Sequence, residues 1–321
     1  MTANIKKSIY SLIYNCAYAD ENSKGLIISD SHTQEIGNLI IQVADEENIN
    51  FTHLIIEPFM IHGEEPSSEV AQEMLKYDIV FGLTKMSMAH SKARLAFSEI
   101  GGKYLSLPDY SMNVLASPAL QYDFRELIDI SSKIANLMTN GKEIRLLSQK
   151  GTDLRCDIQG RYGNPAPGCC FDKGIISSPP DSETNIAPIE DKSNGIICVD
   201  GSIPCAQIGL VKSDAILHIK DGKVFDIEGE YKDILNKLFD DVGEKARIVA
   251  EIGIGLNPLA KLCGSMLEDE GCLGTAHVGI GANSTIGGKN SVPFHLDHIM
   301  KDVTIYIDNE MIIKDGKILL D

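Results

Sequence analysis

The chain has 321 residues, enough for about two domains at the usual domain size, and its formal net charge is −17. That acidity argues against nucleic acid as a partner, because phosphate contacts need clustered lysine and arginine. Hydrophobic residues make up 43% of the chain, yet no apolar run approaches the roughly 18 residues that span a bilayer, so no membrane partner is expected.

In chain order, the first 140 residues alternate short apolar runs with helical patterns. Gly25 to Ser29 reads as a strand, Ser31 to Val43 as a helix, and Thr52 to Ile56 as the next strand. Pro66-Ser67-Ser68-Glu69 opens a helix, Asp78 to Leu83 is a third strand, Ser87 to Ile100 is helical, and Lys103 to Leu107 is strand-like. Such alternation predicts an α/β domain with a mostly parallel sheet. A further helix, Phe124 to Met138, ends at Thr139-Asn140-Gly141, a good stop signal, so the first domain is expected over 1–140,.

From 141 to 321 the texture changes to short strands and frequent turns, with hairpin signals at Asp221-Gly222 and Asp315-Gly316,. Gly163 to Pro180 reads as an irregular loop, and one helix, Glu230 to Val242, interrupts the strands. This half is expected to be a β-rich α+β domain. No basic segment followed by an apolar stretch opens the chain, so no secretory leader is expected. The eight cysteines (16, 156, 169, 170, 198, 205, 263 and 272) form no CxxC pair. They read as reduced thiols, which points to the cytoplasm.

Four segments of the second half carry candidate chemistry. In Phe294-His295-Leu296-Asp297-His298, an extended backbone puts His295 and Asp297 on one face, a ready pair of metal ligands. HxD alone is a short pattern that often occurs by chance. Glu251 stands in an otherwise apolar stretch, Arg247 to Gly255, that reads as a buried strand. A buried carboxylate needs a partner, either a basic residue from elsewhere or a cation. His277 lies among small and apolar residues after Asp269-Glu270-Gly271, where a merely solvated imidazole would be odd. The run Pro180 to Glu190 is rich in carboxylates, and Glu183 by itself reads as loop solvation. The glycines near His277 do not complete GxGxxG, since position 284 is Ser, which excludes a dinucleotide reading.

Together these segments resemble, in the same order, the aminopeptidase T/aminopeptidase S metallopeptidases: Glu183 before Ala187-Pro188, Glu251 in AEIGIGLNP, Asp269-Glu270 with His277, and His295/Asp297. Ser87 to Arg94, with His90, is similar to a Ser-x-x-His-Thr-x-x-Arg segment of that family. The resemblance covers about residues 78 to 300. It implies a metal-dependent aminopeptidase, a hydrolase releasing N-terminal residues from small peptides or aminoacyl amides by metal-activated water. Glu183, Glu251, Glu270, His277, His295 and Asp297 would be the metal ligands, with Glu251 bridging. Glu183 and His90 would take catalytic roles. The cofactor would be two divalent ions (Zn, Co or Mn) per subunit, and the protein a homodimer. Where the larger members carry Tyr seven residues after the histidine, this chain has Ser284. The 2,5-dihydroxypyridine dioxygenases look like relatives on the same scaffold. By that second resemblance His277, His295 and Asp297 would form a facial triad for one Fe(II), with His90 acting on the substrate.

Overall fold

A computed structural model describes residues 1–320. The chain divides into two compact units, Met1–Glu126 with Gly168–Pro180, and Leu127–Pro167 with Asp181–Asp321.

In the first unit five strands form a sheet in the order Asn50–Ile55, Lys24–Ser29, Ile79–Leu83, Lys103–Ser106, Ile176–Ser177, and every neighbouring pair is parallel. The inner strands are apolar on both faces, as a sheet covered on both sides requires. Ile79–Leu83 is buried along its whole length. Helices Gln34–Glu46, Ser68–Met74 and Lys92–Glu99 alternate with the strands. The last of these begins five residues after Ser87, because Ser91 is the residue that caps it: its Oγ accepts from the Arg94 N–H at 3.2 Å,. Ser87 Oγ accepts instead from the Ala89 N–H within the preceding loop. Residues 3–16, for which the pattern predicts nothing, form the helix Ala3–Tyr10 continued by a π-turn, Ser11–Cys16.

The second unit holds two sheets in which every neighbouring pair is antiparallel, one of eight strands and one of seven. Helix Ile128–Asn140 belongs to it. Its Ser131 hydroxyl lies 2.9 Å from Thr184 Oγ1 and donates to the Glu183 carbonyl at 3.2 Å. The glycine- and proline-rich stretch from 163 to 180 is divided: Asn164–Ala166 is an outer strand of the seven-stranded sheet, while Ile176–Ser177 joins the parallel sheet. Both hairpin signals hold for the expected reason. Asp221 and Gly222 (φ 48° and 75°), like Asp315 and Gly316 (45° and 75°), take the positive φ that a two-residue hairpin turn demands,.

The seven-stranded sheet runs Gly209–Leu210, Ser202–Ile203, His295–Lys301, Thr275–Gly281, Val249–Gly255, Glu183–Ile186, Asn164–Ala166. Its two central strands, Thr275–Gly281 and Val249–Gly255, are buried at all seven positions. Among the described residues no helix is long and apolar enough to cross a membrane.

The first unit's core packs Leu26, Ile28, Val80, Met88 and Tyr104 around Phe97, which has no exposed surface. Gly102 makes room for that ring, since a Cβ there would stand 2.3 Å from it. Phe97→Ala should therefore lower stability by about 3–5 kcal/mol. A urea midpoint equal to that of the unsubstituted chain would contradict this packing.

Candidate metal centre

Four neighbouring strands of the seven-stranded sheet each bring a donor to one face. Glu183 opens its strand, Glu251 and His277 stand near the start of theirs, and His295 and Asp297 share the fourth. The period of two along a strand sets which residues join them. Glu251, Gly253 and Gly255 point one way, and so do His277, Gly279 and Gly281.

The register then places a glycine opposite every donor. His277 pairs with Gly253, both Glu251 and Asp297 with Gly279, His295 with Gly281, and Glu183 with Gly255. These glycines are space for the donors. A Cβ on Gly253 would lie 2.0 Å from His277 Nε2 and 2.8 Å from Glu183 Oε2, and one on Gly279 would lie 2.8 Å from His295 Nε2.

The donor atoms sit side by side. His277 Nε2 is 3.0 Å from Glu183 Oε2 and 3.9 Å from Glu251 Oε1. His295 Nε2 is 3.2 Å from both Glu251 Oε2 and Asp297 Oδ1. Donors bound to one ion at roughly 2.1 Å and at right angles stand about 3 Å apart. Two overlapping groups have metal-site spacing, Glu183/Glu251/His277 and Glu251/His295/Asp297, and Glu251 is common to both. The partners of Glu251 are thus two imidazoles rather than a lysine or arginine.

Two outer contacts aim the donors. His295 Nδ1 is 2.8 Å from the Ala282 carbonyl, which only accepts, so this nitrogen carries the proton and Nε2 faces the cluster,. Asn185 donates to Glu183 Oε1 at 2.6 Å, leaving Oε2 toward His277. His298, one residue beyond Asp297, points to the opposite face and is fully buried. Burial holds its imidazole down at about 4.

Two further carboxyls join the cluster. Glu270 follows the short helix Met266–Asp269 and is hydrogen-bonded to Asp297; Asp181 precedes the Glu183 strand. Asp181 Oδ1 and Glu270 Oε1 are sealed from solvent without a hydrogen-bond partner, and the equally buried Glu183 Oε2 has the His277 imidazole beside it at 3.0 Å. Five carboxyls therefore face two imidazoles. Burial, and then the neighbouring carboxylates, push Asp181 and Glu270 well above the usual carboxylate range. Burial also raises Glu183 against the pull of His277. For Glu251 and Asp297 burial again acts upward, but the imidazoles outweigh it and hold both low. The imidazoles respond in kind: burial would lower them, and the surrounding carboxylates hold both well above the ordinary value. Excess buried negative charge with orphaned oxygens is the environment that a divalent cation relieves, and mixed carboxylate and imidazole donors suit Fe, Zn or Mn.

Of the residues singled out from the sequence, Glu183, Glu251, His277, His295 and Asp297 converge, and Glu270 stands beside Asp297. His90 lies in the first unit, exposed, in the turn before the Lys92–Glu99 helix. Asp181 and Asn185 join the donors unannounced by any motif, although the i, i+2 spacing Asp181–Glu183–Asn185 carries the signal.

A family model described as NicX, 2,5-dihydroxypyridine 5,6-dioxygenase, matches residues 60–320. The 2,5-dihydroxypyridine 5,6-dioxygenase of Pseudomonas putida is 26% identical over 200 residues, covering 57% of this chain and only 56% of that protein's length. Among solved structures, 2,5-dihydroxypyridine dioxygenase from Pseudomonas putida KT2440 superposes with a TM-score of 0.84 at 17% identity, over 100% of this chain and 99% of the other. Wild-type AmpT from Thermus thermophilus superposes at 0.71 and 15% identity, over 99% of each chain. At those identities both structures speak for the fold alone.

These matches overturn the aminopeptidase reading and with it the terms hydrolase, metalloprotease and protease. The family model and the sequence relative both name a dioxygenase, whereas the peptidase likeness is one of fold. The physical reason is that the motifs behind the peptidase reading describe the donor strands, and donors alone do not select a reaction.

Two outcomes check the centre. Gly253→Ala should displace the His277 ring and weaken divalent-metal binding by roughly 100-fold, the upper end of what disturbing a ligand's support does; an unchanged metal titration would refute the close approach. In the metal-free protein His277 and His295 hold protons above the ordinary imidazole value, and an incoming cation must displace them. Loading should therefore release protons, and affinity should rise with pH through neutrality. Calorimetry in buffers of different ionisation enthalpy reads that release, and a proton count of zero at neutral pH would contradict it.

Proposed function

The chain belongs to the NicX, 2,5-dihydroxypyridine 5,6-dioxygenase, family, and we propose that it is an Fe(II)-dependent dioxygenase that opens a hydroxylated pyridine ring or a close aromatic analogue. The observation that carries this reading is that His277, His295 and Asp297 stand on one sheet face around Glu251, whose carboxylate lies 3.9 Å from the first imidazole and 3.2 Å from the second and is shared by the two groups of metal spacing. Two imidazoles and a carboxylate are the donor set of non-haem iron oxygenases. Fe(II) takes the place of the Zn, Co or Mn pair that the peptidase resemblance implied.

Iron, when bound, supplies the redox chemistry that oxygen insertion needs. The protein's part is to hold the donors and to manage protons. His295 is kept in one tautomer by the Ala282 carbonyl, so its lone pair faces the cluster without rearrangement. Asp297, hydrogen-bonded by Glu270, is anchored on the same strand two residues away. Glu251 is held ionised by its two imidazole neighbours, and its Oε1 is the acceptor we assign to the acidic hydroxyl of the substrate. The glycines at 253 and 279 leave the donor face free of side chains that would otherwise fill it.

The test is anaerobic purification followed by Fe(II) reconstitution, with oxygen uptake measured on 2,5-dihydroxypyridine. About one iron per chain and equimolar consumption of oxygen and substrate are expected. His295→Ala should reduce both iron retention and oxygen uptake by more than about 100-fold, since even support residues around a ligand are worth 10–100-fold. An iron-loaded chain that consumes no oxygen with any dihydroxylated pyridine would refute the proposal.

A further inference from the structure

Across four strands of the seven-stranded sheet, Asn164, Asn185, Gly253 and His277 lie in one register row. Residues directly opposite in an antiparallel pair share a face, so this row runs from the outer strand to a donor histidine. Its hydrogen bonds have a defined direction. The Ile286 carbonyl only accepts, and Asn164 Nδ2 donates to it at 3.3 Å,. The same nitrogen is 3.0 Å from Asn185, which must therefore present Oδ1 to it. Asn185 is left with Nδ2 toward Glu183 Oε1, at 2.6 Å. Glu183 then turns its other oxygen, Oε2, toward His277 Nε2 at 3.0 Å, across the space that Gly253 leaves. A backbone carbonyl thus fixes two amides in turn, and the second fixes a carboxylate.

We infer that Asn185, oriented by Asn164, is a positioning residue of the metal centre that dictates which oxygen of Glu183 faces the cation. The inference rests on the metal-dependent reading above. Glu183 has only 6% of its surface exposed and Asn185 also 6%, so no solvent competes for either group. Without the amide donor, Oε1 loses its partner and the carboxylate is free to rotate. An aspartate at 185 would place a second anionic oxygen against it.

The experiment is a titration of the full metal-free chain with Co(II), read by visible absorbance and by competition with a chelator. Asn185→Ala should lower Co(II) affinity by roughly 10–100-fold, the range for residues that support a ligand, and should shift the visible bands. In a Glu183→Gln chain the same substitution should change affinity less than about twofold, because no carboxylate remains to be aimed. Wild-type affinity and spectrum in Asn185→Ala, or an undiminished loss in the Glu183→Gln chain, would overturn the inference. If Asn185→Ala does not fold, Asn164→Ala on the outer strand should give a smaller loss in the same direction, and no loss there overturns it equally. A wild-type chain that binds Co(II) but, once iron-loaded, consumes no oxygen defeats the dioxygenase reading and leaves this inference standing. A wild-type chain that takes up no Co(II) defeats both.

Discussion

Glu251 is a carboxylate with 7% of its surface exposed, set in a strand that is otherwise apolar and glycine. In water its charge would be solvated; in this position it must be answered by other groups. The answer is an imidazole on either side, His277 from the adjoining strand and His295 from the next, and each of these meets a further carboxylate. The surrounding sheet is organised by that requirement. On the two central strands glycines follow the donor on the same face, and every donor faces a glycine across a strand pair, because imidazoles and carboxylates only come within about 3 Å where no Cβ intervenes.

The surplus of carboxyls gives the site its character. A facial triad needs one carboxylate and two imidazoles, and this cluster offers five carboxyls,. Burial and like charge push Asp181 and Glu270 toward the neutral form, while the histidines hold Glu251 and Asp297 toward the ionised one. Within one cluster, carboxyls are thus pulled in opposite directions by their neighbours.

The two resemblances also take their place in physical terms. The metallopeptidase and dioxygenase folds both superpose on the chain, at TM-scores of 0.71 and 0.84. A four-strand donor platform of this kind presents carboxylates and imidazoles, and which metal and which reaction it serves depends on the donors left free and on the groups around them. Glu251 in an apolar strand, HxD and the order of the motifs describe the platform. They do not separate hydrolysis from oxygenation, because both can be served by the same donors.

By itself the sequence determined the elements that depend on local chemistry. An apolar run on both faces identified the buried strand within Arg247 to Gly255, period-two geometry gave His295 and Asp297 a shared face, Asp-Gly pairs marked both hairpin turns, and alternating apolar runs marked the parallel sheet. Glu251, the one charge in an apolar stretch, implied a buried carboxylate from the sequence alone. Only the tertiary structure decided what answers that charge, because His277 and His295 lie 26 and 44 residues along the chain and meet it only through strand register. Register also revealed the glycine opposite each donor, the buried carboxyls of Asp181 and Glu270, and the amide row that aims Glu183. Side-chain direction along one strand is local, whereas the pairing of strands is a choice made by the whole sheet.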